Sequence, residues 1–216
     1  MYNEAQSKYC YPGTDVLINH ANIRDQNELD EFESFVTYNR SLELLNAPLR
    51  GNFDLFHLCA IHRYLFQDVY PFAGKLRDEN IAKGNFRFCQ WEYIKDQANH
   101  LFRELRNERF LMGTPRTELP ERLAYYMAEI NVLHPFREGN GRTQREFIRS
   151  LALFNGYDLS WKRVEPDALL AASIRSITNT TELAKLIDRA ISNRLPDPQL
   201  MKLMRNARTK SQQMER

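Results

Sequence analysis

The residues best able to do chemistry lie within twelve consecutive positions, from His134 to Arg145. His134 is the group of this segment whose ordinary pKa, about 6.5, lets it take a proton from a hydroxyl near neutral pH. Glu138 adds a carboxylate, and Mg²⁺ in proteins typically binds one or two carboxylates together with phosphate oxygens and water. The segment therefore predicts a general base beside a site for metal and phosphate.

A glycine-containing turn in the same segment, Gly139-Asn140-Gly141, is suited to binding anions. Glycine permits unusual backbone angles, and the free N–H groups at the start of a helix point toward a common centre. Arg142 and Arg145 follow on one helical face, together with Arg149, and the first two lie in the turn nearest these N–H groups. Several phosphates could bind there, so the predicted ligand is a triphosphate with Mg²⁺.

Each of these features, taken alone, also has a structural explanation. A Gly-Asn-Gly turn is usually only a connection between helices, and Arg142 and Arg145 could be surface charges that pair with Glu138 or Glu146. His134 could be a core histidine whose ring nitrogens bond to the backbone. The occurrence of all of them within one short segment is what favours a functional site.

The elements on either side of the segment must bring these groups together. A helix is predicted over residues 121–133, and its apolar stripe projects one turn further onto His134, which leaves the core edge facing inward. Pro135 ends the helix, because the residue before proline avoids the helical region. A second helix is predicted to begin after Gly141 and to end near Gly156.

Other helices are indicated by apolar residues at intervals of three and four. They cover residues 26–36, 93–107, 168–177 and 181–192, and the segment from an Asp54 N-cap to Pro71. In the first helix the residues expected to face inward are Leu29, Phe32, Phe35 and Val36. A break at residues 195–198 predicts one domain over residues 1–194, followed by a basic C-terminal tail or short helix over residues 195–216.

One short hairpin is predicted between the second and third helices. Phe86 and Phe88 alternate with Asn85 and Arg87 directly after Lys83-Gly84, as expected for a strand that follows a tight turn. No other segment carries a comparable strand pattern. The predicted fold class is therefore all-α, a helical bundle with a short β-hairpin.

Composition narrows the class of protein. With 216 residues, of which 43% are hydrophobic and 27% charged, the sequence has the proportions of a soluble globular protein of one domain. The net charge of +2 is too small to predict direct nucleic-acid binding. The sequence has no apolar run of the ~18 residues that a membrane helix needs, and no signal-peptide core, so no membrane partner is expected.

The three cysteines, Cys10, Cys59 and Cys89, are an odd number without CxxC spacing. Such a set suits neither a disulfide framework nor a zinc site, and reduced thiols in a cytoplasm fit it best. We therefore expect a protein of the bacterial cytoplasm, or one delivered into another cell without a classical signal peptide.

The segment from His134 to Arg145, HPFREGNGRTQR, resembles the signature of the Fic (Fic/DOC) family, HPFx[D/E]GNGRxxR, with every defining position filled. The similarity extends to residues 11–17, 24–26, 68–75 and 83–88, and roughly residues 11–193 are covered. The resemblance implies a Fic-type helical bundle with a β-hairpin flap. It also implies a protein adenylyltransferase, which transfers AMP from ATP to a Tyr, Thr or Ser hydroxyl of a target protein and releases pyrophosphate.

By the same resemblance, each residue of the segment has an expected role. His134 deprotonates the target hydroxyl, and Glu138 holds Mg²⁺. Asn140 and the amides of the loop steady the α-phosphate under attack. Arg142 and Arg145 bind the β- and γ-phosphates and align the nucleotide for in-line attack.

The flap is expected to serve both ligands. Lys83, Gly84, Asn85 and Phe86 are expected to contribute to the nucleotide site, as is Gly139 of the loop. The exposed backbone of the flap, from Lys83 to Phe88, is expected to pair with an extended segment of the target protein by strand addition. As a purely structural hairpin the flap would look the same in sequence.

Regulation is where the sequence departs from some relatives. Many Fic proteins are silenced by an [S/T]xxxE[G/N] helix whose glutamate pairs with the second motif arginine. Residues 211–215 have the spacing, but Arg216 follows Glu215, and in residues 178–182 Leu183 follows Glu182. The chain therefore resembles the type that lacks an in-chain inhibitory helix, and a small antitoxin-like partner is the expected inhibitor. The protein would then be a toxin or an effector.

Two other functions remain open. Some Fic relatives phosphorylate their target, move phosphocholine or remove AMP, although relatives of the Doc type, which phosphorylate, usually depart from the GNGR stretch that this sequence retains. A module that only binds nucleotide is the non-enzymatic alternative. His134 favours an enzyme over a binding module, because nucleotide binding alone does not need a base.

Overall fold

The computed structural model of the protein describes residues 6–84 and 86–205, and in these ranges the chain forms eight α-helices and one β-hairpin. The helices are α1 (Gln26–Asn46), α2 (Leu55–Phe66), α3 (Ile94–Asn107), α4 (Leu119–Leu133), α5 (Asn140–Phe154), α6 (Pro166–Arg175), α7 (Thr181–Ala190) and α8 (Pro198–Arg205). The strands β1 (Ala82–Lys83) and β2 (Phe86–Arg87) pair antiparallel between α2 and α3. The predicted all-α class with a short hairpin is confirmed. Within these ranges no helix has the length and apolar character needed to span a bilayer.

The two helices on either side of the chemical segment form the centre of the bundle. α4 packs against α5 and α7, and α5 also packs against α2 and α8. The predicted apolar stripe of α4 is buried, and it consists of Leu123, Met127 and Ile130. Because this burial fixes the axis of α4, it also fixes the point at which the chain leaves the helix.

α1 is longer than predicted, and one of its four predicted inward residues, Phe35, does not face the core. It begins behind Asp25, whose side chain accepts a hydrogen bond from the N–H of Glu28 at 3.0 Å. The predicted inward position of Phe35 is wrong, since that side chain is 71% exposed. The buried residues of α1 are Leu29, Glu33, Thr37 and Leu44, and Phe32 and Val36 are partly buried against the core. A hydrophobic pattern could not find Glu33 and Thr37, because both are polar.

The ends of two other helices matter for the site. Asp54 caps α2 as predicted, but α2 ends at Phe66 rather than near Pro71. Turns then carry the chain toward the hairpin. The segment after Pro198 forms α8, which packs against α5 with Met204 buried. The division of the chain at residues 194 and 195 stays a prediction.

Candidate active site

A cavity of about 700 Å³ lies between the hairpin, the C-terminal end of α4, the first turn of α5 and one side of α6. The predicted site residues that line it are Lys83, Phe86, His134, Glu138, Asn140, Gly141 and Arg145. Gly84, Gly139 and Arg142 do not line it. Asn85 lies outside the described residues. Most of the predicted residues therefore meet at one cavity, with one of the two arginines elsewhere.

His134 is placed by an unusual backbone conformation at the end of α4. Its φ of 43° and ψ of 60° lie in the left-handed region, which costs a non-glycine residue on the order of 1–3 kcal/mol. The N–H of His134 still donates to the carbonyl of Ile130 at 3.0 Å, and Pro135 then prevents the helix from continuing. The conformation leaves the imidazole on the wall of the cavity.

The imidazole of His134 has one nitrogen engaged and one without a partner. Nδ1 lies 3.2 Å from the carbonyl oxygen of Asn131, which can only accept, so Nδ1 carries the proton and donates. Nε2 carries the lone pair, and it has no hydrogen-bond partner in the described part of the chain. The ring stacks on Phe88 with the centroids 3.7 Å apart. A general base that acts at Nε2 requires this tautomer.

The surroundings of His134 keep its ring neutral. Burial, assisted by the positive charges of Arg77 and Lys83, lowers the pKa of His134 to about 4. The ring is therefore free to accept a proton at pH 7. An anion bound in the cavity would offset the two positive charges and raise this pKa, which would make the base stronger when substrate is present.

The turn before α5 allows close approach of the backbone. Gly139 has a φ of 80°, and a Cβ there would lie 2.3 Å from the Phe66 ring, so only glycine fits. Gly139 is also the N-cap of α5 and offers no side chain to the first-turn N–H groups, which lack acceptors within the helix. The buried Asn140 side chain accepts from the N–H of Phe136 and donates to its carbonyl. The backbone N–H groups are therefore better placed to bind an anion than the Asn140 amide, which is already bonded to Phe136.

His62 on α2 supports the loop from its buried side. The N–H of Gly74 donates to Nδ1 at 2.7 Å, so the proton lies on Nε2, which donates to the carbonyl of Glu138 at 2.9 Å. The ring stacks between Phe66 and Phe136. Burial lowers the pKa of His62 to about 4, so this ring is also neutral at pH 7. No sequence motif marked His62 as part of the site.

Glu138 supplies a single carboxylate to the cavity. Its Oε1 accepts from the N–H of Gly139 at 2.8 Å and lies 3.8 Å from Nη2 of Arg142. The Glu138 side chain is 44% exposed, and its other oxygen forms no hydrogen bond or ion pair with the described residues. Across the described ranges no cluster of three or more His, Cys, Asp or Glu side chains is arranged to hold a metal ion. Any ion at Glu138 must take most of its ligands from substrate and water.

Arg142 faces α1 rather than the cavity. Its guanidinium forms an ion pair with the buried Glu33 and donates to the hydroxyl of Thr37 at 3.0 Å. It also lies over the Phe66 ring, 4.8 Å from the centroid. Glu33 accepts a second hydrogen bond from the hydroxyl of Tyr70. Arg142 therefore does not line the cavity, and its predicted binding of phosphate stays a prediction.

Arg145 has the opposite surroundings. It lines the cavity, and none of the described residues provides a carboxylate for an ion pair with it. Burial and the nearby charge of Arg142 lower the pKa of its guanidinium. Arg149 is away from the cavity, where it pairs with Glu146 and donates to the carbonyl of Leu44. Of the three arginines, Arg145 is the one placed to bind an anion in the cavity.

The hairpin closes one side of the cavity. Lys83 and Phe86 lie opposite each other in the strand register, and both line the cavity together with Phe88. The rings of Phe86 and Phe88 meet edge to face at 5.2 Å. Gly84 has a φ of 57°, as a two-residue turn between paired strands requires. The hairpin thus brings a lysine and two aromatic rings to the site of His134.

Comparison with known proteins decides the family. The sequence profile of the Fic/DOC family matches residues 52–152. "Probable protein adenylyltransferase y4lH" of Sinorhizobium fredii is 46% identical over 192 residues, which cover 88% of this chain and 98% of that protein. The chain belongs to the Fic/DOC family.

Two further relatives of this Fic/DOC chain add detail. "Protein adenylyltransferase VbhT" of Bartonella schoenbuchensis is 42% identical over 188 residues, which cover 87% of this chain and 39% of that protein. The crystal structure of the N-terminal Fic domain of a Bartonella quintana effector with bound ADP has a TM-score of 0.83 at 25% identity, covering 89% of this chain and 97% of that one. The fold is thus that of a Fic domain.

Two parts of the Fic/DOC site were missed from the sequence. Asn131 links the walls: its main-chain oxygen accepts from His134, its Oδ1 from Gln144 and its Nδ2 donates to the carbonyl of Ser173. The second part is an apolar wall on and beside α6, made of Trp161, Val164, Leu169, Leu170, Ile174 and Ile177. No sequence signal marked this wall; its role emerges only in the structure, where Leu170 and Ile174 are exposed beside the cavity.

Proposed function

We propose that this Fic/DOC chain is a protein adenylyltransferase, which transfers AMP from ATP to a side-chain hydroxyl of another protein and releases pyrophosphate. The observation that carries the proposal is the presence, in one cavity, of a neutral His134 with a free Nε2 and of Arg145, which has no acidic partner among the described residues. The first group accepts a proton and the second binds phosphate. The names of the relatives and the ADP in the Bartonella quintana domain support the same activity.

In the proposed reaction, Nε2 of His134 takes the proton of the target hydroxyl while the hydroxyl oxygen attacks the α-phosphorus. The bond between the α-phosphorus and the oxygen bridging to the β-phosphate breaks, and pyrophosphate leaves with its electron pair. Arg145 and the first-turn N–H groups of α5 hold the leaving phosphates in line with the attack. The proton on His134 then passes to solvent.

The cavity has room and chemistry for a whole nucleotide. Its volume of about 700 Å³ is within the usual range for small-molecule sites. The basic end, at Arg145, suits the triphosphate. The apolar wall of α6, with Leu170 and Ile174 about half exposed, suits the flat face of the base. We therefore place the phosphates against α5 and the base against α6.

Mg²⁺ fits the donor set at Glu138. This ion commonly uses one or two protein carboxylates and takes its other ligands from phosphate and water, which matches a lone, half-exposed carboxylate at the phosphate end. Bound there, the ion would neutralise charge on the transferred and leaving phosphates. Calorimetry of ATP binding with and without Mg²⁺ tests this role: Glu138→Ala should remove the Mg²⁺ dependence. An unchanged dependence would assign Glu138 to its ion pair with Arg142 alone.

The hairpin is proposed to dock an extended segment of the target protein. Its strands are two residues each, and Lys83 is exposed at the mouth of the cavity. Lys83→Ala separates two roles for this residue. A raised KM for the target with an unchanged KM for ATP supports docking, whereas a raised KM for ATP alone would assign Lys83 to the nucleotide.

The activity itself is tested with ATP labelled at the α-phosphate and, separately, at the γ-phosphate. The purified chain is incubated with a bacterial lysate, and His134→Ala is the control. Label transferred to protein from the α-position only supports AMP transfer. Label from the γ-position would identify a phosphorylating enzyme, and binding without any transfer would identify a nucleotide-binding module.

Restraint of the enzyme is proposed to come from a partner protein whose glutamate pairs with Arg145. Among the described residues no acidic side chain does so, and Glu182 is occupied on the surface by Lys185 at 2.9 Å. The other candidate, Glu215, lies outside the described residues. A partner of this kind should weaken binding of ATP more than binding of ADP, which lacks the γ-phosphate. Equal weakening would place the inhibitor elsewhere.

A toxin or effector acting in a reducing cytoplasm, bacterial or foreign, is the proposed setting, since all three cysteines are free. Expression in bacteria should arrest growth, and His134→Ala should relieve the arrest. Continued growth with the active chain would speak against a toxin.

A further inference from the structure

Arg77 is a buried cation whose partners are all backbone carbonyls. Its side chain is 2% exposed, and it forms no ion pair with any carboxylate of the described residues. Nε donates to the carbonyl of His134 at 2.8 Å, Nη1 to that of Glu79 at 2.7 Å, and Nη2 to those of Cys89 and Leu133. Four of its five N–H donors are therefore used on main-chain oxygens.

The location explains why a charge can be buried here without a carboxylate. The last carbonyls of a helix lack partners within it and form the negative end of its dipole. Arg77 lies at that end of α4, where it bonds to the carbonyls of Leu133 and His134. The planar guanidinium offers five N–H donors spread over a rigid fork, whereas the compact ammonium of lysine offers three from one atom.

The main chain around Arg77 ties the hairpin to the same point. The N–H of Arg77, before β1, donates to the carbonyl of Pro135 at 2.9 Å. The N–H of Cys89, after β2, donates to the carbonyl of Val132 at 3.1 Å. Both ends of the hairpin are thus attached to residues 132–135, which contain His134 in its left-handed conformation. A strained backbone of this kind persists only where its surroundings hold it.

We propose that Arg77 is a positioning residue for AMP transfer: by gathering the carbonyls of Leu133, His134 and Cys89, it holds the imidazole of His134 and the flap in register. The inference rests on the proposed function, in which His134 is the base. Phe88, next to Cys89, is the flap residue that stacks on the imidazole. A displacement of about 1 Å in a catalytic group can cost about 100-fold in rate, so loosening this cluster should act on turnover.

The first test compares Arg77→Lys with Arg149→Lys. Arg149 is a matched control, because it is also buried and also donates to a backbone carbonyl, that of Leu44, but does not line the cavity. Assays run well below each variant's Tm should show kcat about 100-fold lower for Arg77→Lys, with the Kd for ATP within about threefold of wild type. Arg149→Lys should have a lower Tm than the wild type but the same kcat.

Two results would overturn the proposal. One is an Arg77→Lys variant that keeps more than about a third of the wild-type kcat, which would leave Arg77 only a role in the fold. The other is a loss of ATP affinity in proportion to the loss of kcat. A wild-type protein that transfers no AMP would instead refute the proposed function, and this inference with it.

A second variant decides the question if Arg77→Lys does not fold. Phe88 is only partly buried, so Phe88→Leu should leave Tm unchanged, yet it should lower kcat about tenfold or more by releasing the imidazole. An unchanged kcat would overturn the proposal. Where Arg77→Lys does fold, the double variant should lose less than the product of the two single losses, because both changes act on one geometry. Independent, multiplicative losses would contradict it.

Discussion

Arg142 and Arg145 lie three positions apart on the first turns of α5, and their guanidinium groups face different parts of the molecule. Arg142 is turned toward α1, where Glu33 and Thr37 bind it. Arg145 is turned toward the cavity, where no carboxylate of the described residues meets it. The charge of Arg142 is thus neutralised by Glu33 in the absence of a ligand. The charge of Arg145 is partly desolvated, and a bound anion would neutralise it.

Two arginines of one motif can therefore have different roles. A partly buried cation without a counter-ion disfavours the free protein, and an anionic ligand removes that cost on binding. Arg142 has no such cost left to remove, because Glu33 compensates it before any ligand arrives. Arg142 is thus expected to stabilise the fold and Arg145 to bind substrate.

The largest effect is expected at the cavity side, on the base. His134→Ala should lower kcat by about 10²-fold or more and leave the Kd for ATP within a few-fold, since the imidazole acts on the proton of the hydroxyl. Single-turnover rates and calorimetry measure the two quantities. A variant with more than about a tenth of the wild-type rate would contradict the role of general base.

Arg145→Met should weaken ATP binding about 10- to 100-fold, which is the usual weight of a charge-assisted hydrogen bond that is lost. The fold should be no less stable, because the variant removes a partly buried charge that has no ion-pair partner among the described residues. ADP and ATP titrations followed by calorimetry, with thermal unfolding alongside, check both parts. A marked fall in Tm would show that Arg145 has a structural partner.

Arg142→Met should show the reverse pattern. It leaves the carboxylate of Glu33 buried with only the hydroxyl of Tyr70, so the free energy of unfolding should fall by about 2 kcal/mol, while ATP affinity changes little. The matched control is the double variant Glu33→Gln with Arg142→Met, which should recover part of the loss. If Arg142→Met instead lowers the affinity for ATP as much as Arg145→Met does, Arg142 also binds the nucleotide and the proposed difference between the two arginines is wrong.

The residues that line the cavity were easier to predict from the sequence than the contact between Arg142 and α1. The base, the turn and the arginines lie in one short segment, and the helical stripe of α4 correctly carried His134 to an inward position. Glu33 was beyond reach, because a glutamate among apolar residues of α1 reads as a solvent-facing charge. Its burial depends on a partner 109 positions along the chain.

The same limit applies to the backbone. Pro135 predicted the end of α4, but nothing in the local sequence predicts that His134 adopts a φ of 43°. That conformation depends on Arg77 and on the hairpin, which are distant in the chain. Sequence patterns recover what is periodic within one element, whereas contacts between elements decide which polar residue is buried and which is exposed to ligand.

The histidines that flank the loop predict how stability depends on pH. The pKa of His62 in the folded state is about 4, below the value of about 6.5 in an unfolded chain, so acid protonates the unfolded state first. Stability should therefore be constant above about pH 7 and fall as the pH drops toward 4, with about 2 kcal/mol lost to His62 between pH 7.5 and pH 5. Urea unfolding at the two pH values measures it. His62→Gln, though less stable at pH 7.5, should show a smaller drop, and an equal drop would mean that other groups dominate.

The smallest effect on the rate of AMP transfer is expected from changes in the C-terminal segment. This experiment tests whether Glu215 of the same chain pairs with Arg145. If a partner supplies the glutamate for Arg145, removal of residues 196–216 should change the rate of AMP transfer little, provided that loss of α8 from its contact with α5 leaves the chain folded. Glu215→Gly is the sharper variant, because it keeps α8 and removes only the competing carboxylate. AMP transfer by the full chain, the truncation and Glu215→Gly should agree within about twofold. A rise of about tenfold or more in Glu215→Gly would mean that the chain inhibits itself. Glu215 would then form a charge-assisted pair with Arg145 and exclude the γ-phosphate of ATP.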